Sequence, residues 1–142
     1  MPKKVLKNKG LSAPFCIDSR GEIRRYNFKG AKFNVLFTKA GKYRSGDFHP
    51  VIQYDLILKG KYQITFRKGN KNIVFTKGEN ELIIIPPNTP HLFKSLTDTV
   101  MLEWWDGPFE VGYYQPYRKI VERQFTPYPR NAPRSAGFKK KK

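Results

Sequence analysis

Two histidines, His49 and His91, and one cysteine, Cys16, are the side chains of this 142-residue chain that most readily transfer protons, bind metal or attack carbonyls. So short a menu narrows the chemistry. One cysteine forms no internal disulfide, which fits a reducing compartment and excludes a disulfide-built scaffold. A Cys–His pair would need to borrow His49 or His91, and a lone cysteine is more often a small buried hydrophobe than a nucleophile. The glycine-bearing turns match neither the phosphate-binding loop nor the dinucleotide fingerprint. Asp47 and His49 stand two residues apart, the spacing that puts both side chains on one face of a strand. For a histidine base working without metal, Tyr54, Tyr62 and Glu103 are the partner acids to weigh. Glu103 opens the run Glu103-Trp104-Trp105-Asp106, in which neighbours point to opposite faces of a strand. An inward residue there would line a cavity, and an outward Trp would offer a sheet-to-sheet dimer contact.

The elements that must position these groups read as strands. Apolar spacing at three and four residues is never sustained, whereas short β-branched and aromatic runs alternate with Gly, Asn, Asp and Lys turns. Strands are predicted near Arg24–Phe28, Lys32–Thr38, Val51–Leu58, Tyr62–Arg67, Asn72–Thr76, Leu82–Ile85, His91–Leu96 and Val100–Trp105. The links at 59–61, 68–71 and 97–99 have hairpin length and turn composition. About eight strands at this spacing make an all-β sandwich or barrel. Ile83, Ile84 and Ile85 are apolar on both faces, as in a strand buried within the fold, and the prolines at 86, 87 and 90 end it.

Two stretches resemble the two motifs of the cupin superfamily. The first runs Gly41, five residues, Asp47-Phe48-His49, three residues, Gln53, six residues, Gly60; the second runs Gly78, seven residues, Pro86-Pro87-Asn88, then His91, with Ser95 where an Asn often stands. The resemblance covers roughly residues 33–105. It implies a double-stranded β-helix, a jelly-roll barrel with its ligand cavity between two sheets. It also implies that Asp47, His49, Gln53 and His91 occupy the metal-ligand positions, clustered inside one end of the barrel. Two of the four differ from the family's residues, since an Asp replaces the first His and a Gln the Glu. Two imidazoles and a carboxylate still have the composition of the facial triad of non-haem iron. The alternatives at this point are a divergent site for Fe, Mn, Ni or Zn and a vestigial pocket without cofactor, with the vestigial reading ahead.

Charge supplies a competing expectation. With 28 Lys plus Arg against 11 Asp plus Glu, the net charge is +17. Residues 1–12 form a basic arm (Lys3, Lys4, Lys7, Lys9), and 115–142 form a Pro- and aromatic-containing arm with nine bases against Glu122: Arg118, Lys119, Arg123, Arg130, Arg134 and Lys139, Lys140, Lys141, Lys142. The barrel domain between them, 13–114, holds 15 bases and 10 acids. Such arms bind polyanions by counterion release, and interleaved Tyr117, Phe125, Tyr128 and Phe138 could stack on bases. The expectation favoured by sequence is therefore a non-enzymatic, homodimeric nucleic-acid binder, in composition like DNA-packaging or virion proteins. A metal-dependent dioxygenase or sugar isomerase, or a metal-free sugar epimerase or sugar-binding module, is the alternative at His49 and His91. No run of about 18 apolar residues predicts membrane insertion, and no secretory leader is evident, so the expected location is cytoplasm, nucleus or virion.

Overall fold

The computed structural model describes residues 11–125. They form eleven strands in chain order, β1 (Leu11–Asp18), β2 (Gly21–Phe28), β3 (Ala31–Thr38), β4 (Tyr43–Phe48), β5 (Gln53–Lys59), β6 (Tyr62–Lys68), β7 (Lys71–Lys77), β8 (Leu82–Ile85), β9 (His91–Ser95), β10 (Thr99–Trp105) and β11 (Gly112–Tyr113), followed by one helix, α1 (Gln115–Arg123). The strands make two antiparallel sheets. One has the order β1-β2-β3-β10-β5-β8, the other β11-β4-β9-β6-β7.

Alternation decides what lies between the sheets. Leu36, Ile57, Ile83, Ile85 and Met101 face inward from the six-stranded sheet and meet Tyr62, Ile64, Phe66 and Phe93 from the other. These side chains are nearly or wholly removed from water, each contributing about 1.5–3 kcal/mol of hydrophobic stabilisation. At the other end the inward positions turn polar: Asn34 on β3, Asp55 on β5, Glu103 on β10 and His91 on β9 are all buried. The barrel therefore has an oily end that holds it together and a polar end that must be satisfied by hydrogen bonds or ligands.

β1 and β11 lie outside the predicted strands, and three further features depart from the sequence expectation. The run Leu82–Ile85 is an edge strand, not one buried on both faces: Ile83 and Ile85 point in, while Leu82 and Ile84 point out and are exposed. β4 lies outside the predicted strands because its inward positions are polar, leaving no hydrophobic alternation to detect. Finally, the chain from residue 115 does not begin as an extended arm. Pro116 falls in the first helical turn, where a missing N–H costs nothing, and Tyr117 and Val121, four apart, bury one face against Leu92, with Tyr43 alongside. No described helix is long and apolar enough to cross a membrane. The arm cations at 3, 4, 7, 9, 130, 134 and 139–142 lie outside the described residues.

Candidate metal centre

β4 places the first ligand candidate by breaking its own period. In a regular strand Arg44 and Gly46 would face inward and Asp47 outward. Instead Ser45 pairs with Leu92 and Asp47 with His91, so Gly46 is an extra residue, a β-bulge. Ser45 and Gly46 both carry positive φ, 79° and 78°. The bulge turns both Arg44 and Asp47 to the inside. Gly46 is also required by close approach, since a Cβ there would come within 2.7 Å of the Arg118 Cα on α1.

Asp47, His49 and His91 converge, with one candidate ligand atom from each lying within 4.8 Å of the others. The Asp47 Oδ1 lies 3.2 Å from His91 Nε2 and 3.6 Å from His49 Nε2. Backbone carbonyls set the tautomers. His49 Nδ1 donates to the Glu110 carbonyl at 2.8 Å, and His91 Nδ1 donates to the Thr89 carbonyl at 2.9 Å. In its neutral form each imidazole then presents a bare Nε2 to the carboxylate. Burial holds the His49 pKa below its ordinary value, against the pull of Asp47, and so favours that neutral form. Asp47 Oδ1 and His91 Nε2 are buried without any hydrogen-bond partner. Lone pairs facing a carboxylate oxygen repel unless a cation, a proton or a metal ion, sits among them. Burial opposes ionisation of Asp47, yet the close imidazoles of His91 and His49 and the charge of Arg118 hold its pKa below the usual carboxylate value. Two imidazoles, their far nitrogens oriented by carbonyls, and one carboxylate fit a divalent transition metal.

Gln53, in the fourth ligand position, is buried beside the triad with its amide engaged elsewhere. Its Oε1 accepts from Trp105 Nε1 at 3.2 Å, and its Nε2 donates to Asp55 Oδ2 at 2.7 Å and to Glu103 Oε1 at 3.4 Å. Asn34 Nδ2 donates to the other Glu103 oxygen at 3.2 Å. Burial pushes both carboxyls up, Asp55 well above the carboxylate range because Glu103 adds its repulsion.

Asp47 and His49 open into a cavity of about 770 Å³ lined also by Gln53, Glu103, Trp105 and Phe109, among others. Of the acids weighed for a metal-free reaction, Glu103 lines it. Tyr54 does not: it stacks on Trp104 with ring centroids 5.3 Å apart and reaches Asp106. Nor does Tyr62, a core residue whose hydroxyl donates to Thr38. Cys16 reaches the cavity, but burial first and Asp18 second raise its pKa, which keeps it a thiol. Sequence reasoning missed Arg44 and Tyr113, both on the lining. Arg118, expected on a nucleic-acid-binding arm, is buried instead: its Nη1 donates to the Ser45 carbonyl at 2.7 Å and its guanidinium lies over the Tyr113 ring. Lys119 and Arg123 are exposed on α1.

No protein-family model and no curated protein sequence matches the chain. Solved structures do. The capsular polysaccharide assembling protein CapF from Staphylococcus aureus superposes with a TM-score of 0.61 and 21% identity, over 71% of this chain and 34% of that one. Bacillus subtilis oxalate decarboxylase, in a variant with one tryptophan changed to tyrosine, superposes with a TM-score of 0.62 and 17% identity, over 70% and 28% of the two chains. The fold is that of a cupin. At these identities the likeness speaks to architecture, and the chain spans about a third of the length of these neighbours. Another structure of the decarboxylase, with a TM-score of 0.59 and 18% identity over 71% and 29% of the chains, concerns that protein's Mn(II) centres. In this cupin barrel the two sheets and the pairing of β4 with β9 bring Asp47, His49 and His91 to the polar end.

Proposed function

We propose that this chain is a metal-dependent cupin enzyme acting on a small organic molecule in the barrel cavity. One observation carries the reading: two buried imidazoles, each oriented through Nδ1 by a carbonyl, aim their Nε2 atoms at a carboxylate oxygen that has no hydrogen-bond partner. His49, His91 and Asp47 would hold the ion, which when bound supplies Lewis acidity and open positions for substrate or dioxygen. The protein's own groups do the rest. Trp105 and Phe109, 4.8 Å apart, and the ring of His49 form an aromatic wall that shields the ligand set. Glu103, lining the cavity and hydrogen-bonded to Asn34, stands ready to take or give a proton at its carboxyl oxygen.

The experiment is elemental analysis of the purified chain after reconstitution with Fe²⁺, Mn²⁺, Ni²⁺ or Zn²⁺ and dialysis, beside His91→Ala and Asp47→Ala. Stoichiometric metal in the parent chain and its loss in both variants support the reading. A metal-free parent chain that still turns over a sugar substrate would favour the epimerase alternative, with His91 and Asp47 sharing a proton.

Homodimerisation belongs to the same proposal. The outer face of the six-stranded sheet carries Leu58, Leu82 and Ile84, all exposed, beside the Tyr54–Trp104 stack. A patch this apolar on an edge strand invites pairing. The nucleic-acid reading rests on arm cations for which the described residues offer no support.

A further inference from the structure

Among the described residues, three arginines are almost entirely buried: Arg20 is 5% exposed, Arg44 3% and Arg118 5%. All three line the cavity that Asp47 and His49 also line, together with the more exposed Arg25 and Lys32. Burying a guanidinium is costly unless an anion balances it. Two of the three have such an anion. Asp18 receives Arg20 in a fork, at 3.0 Å from Nε and 2.7 Å from Nη2, and Glu122 lies 3.3 Å from Arg118 Nε.

Arg44 is different. Its Nε donates to Thr38 Oγ1 at 2.6 Å and its Nη2 to the Phe37 carbonyl at 3.1 Å. These partners satisfy N–H groups but carry no charge, and among the described residues no carboxylate lies within ion-pair distance of Arg44. Burial weighs against its charge and Arg20 adds repulsion, while Asp18 and Glu103 attract it from beyond ion-pair distance. The bulge at Ser45–Gly46 turns Arg44 inward on the same strand and the same side as Asp47. A buried cation with no carboxylate in contact, held by two hydrogen bonds on a cavity wall, is built like an anion receptor.

We propose that Arg44 is the anion-binding group of this cavity, and that the molecule taken there is an organic anion bearing a carboxylate or a phosphate. The inference rests on the cavity being the substrate chamber, and it does not require the metal. The cavity's volume of about 770 Å³ lies within the range of drug-sized ligand sites, so the anionic group is one end of a larger body. Trp105 and Phe109 offer that body flat apolar faces, and Asn27 and Asn34 offer it amide hydrogen bonds. An aromatic wall with amides suits the C–H faces and hydroxyls of a sugar, which makes sugar phosphates and sugar acids the class to test.

The test uses the metal-depleted full chain, so that failure of the metal reading leaves it intact. Isothermal titration at constant ionic strength compares glucose 6-phosphate, glucuronate, inorganic phosphate and neutral glucose, for the parent chain and Arg44→Met. An exposed β7 control, Lys71→Ala, reports any general effect of lowering the charge. The expected result is binding of at least one anionic probe, at least about tenfold tighter than glucose. Arg44→Met should lose that preference and Lys71→Ala keep it. Preference for glucuronate or for glucose 6-phosphate separates carboxylate from phosphate. Glucose binding as tightly as both anions, equal anion affinity in parent and Arg44→Met, or no binding of any anionic probe would each overturn the proposal. Should Arg44→Met not fold, Arg44→Lys keeps the charge but loses the planar fork, and anion affinity unchanged in it would count against the proposal too.

Discussion

At the scale of single residues, the same carboxylate chemistry serves two ends. Asp47 faces imidazoles and has an orphaned oxygen, so its charge is available to a cation. Asp18 is spent on structure. Burial alone would raise its pKa, but the hydrogen bonds and charge of Arg20 outweigh that and bring it from 3.8 to about 2. A carboxyl with a depressed folded-state pKa contributes stability above its unfolded value and loses it as pH falls through the folded one. Asp18→Asn is therefore expected to be less stable than the parent chain by about 2 kcal/mol at pH 6. The deficit should shrink between pH 4 and pH 2, as urea titrations at stepped pH would show. A deficit that stays constant down to pH 2 would mean that Asp18 acts through packing and not through its charge. The sequence made His49 and His91 legible because only two histidines exist and each stands in a recognisable motif. It could not show Arg44, because nothing in a lone arginine indicates that its charge will be buried without a carboxylate.

At the scale of elements, function explains the strands that the pattern missed. β4 has no apolar alternation because its inward side chains are Arg44 and Asp47, and its register changes at a bulge that only the tertiary pairing reveals. The bulge is testable. Gly46→Ala adds a Cβ at φ 78° that would lie 2.7 Å from the Arg118 Cα. It should cost more than about 1 kcal/mol in denaturant unfolding and weaken metal retention, since Asp47 follows directly. Asn88, in the glycine position of the second motif, adopts a φ of 56°, which Asn tolerates better than most residues. The helix was obscured by Pro116, which reads as a breaker and serves as a starter. Its packing sets a further expectation. A chain ending at 114 should be less stable than one ending at 125 by several kcal/mol, because Tyr117 and Val121 leave their buried sites. Equal unfolding midpoints would show that α1 adds nothing to the barrel.

At the scale of the whole molecule, the all-β barrel and most strand positions were readable from alternation and turn composition, while the distribution of purpose was not. Net charge pointed outward, to arms and polyanions. The described residues direct attention inward, to buried arginines, a candidate ligand triad and a cavity. The apolar outer face of the six-stranded sheet adds an assembly prediction: the parent chain should be a dimer by light scattering at tens of micromolar, and Ile84→Glu should shift it toward monomer with little change in fold. A monomeric parent chain would remove the sheet face from consideration.

The central claim is that Asp47, His49 and His91 hold a metal ion, and metal content tests it most directly. Plasma emission on the chain reconstituted with each divalent metal and then dialysed should find one of them at stoichiometric level, and His91→Ala should reduce it to background with the β-rich circular dichroism spectrum preserved. Background metal in the folded parent chain after every reconstitution, or undiminished metal in folded His91→Ala, would contradict the account.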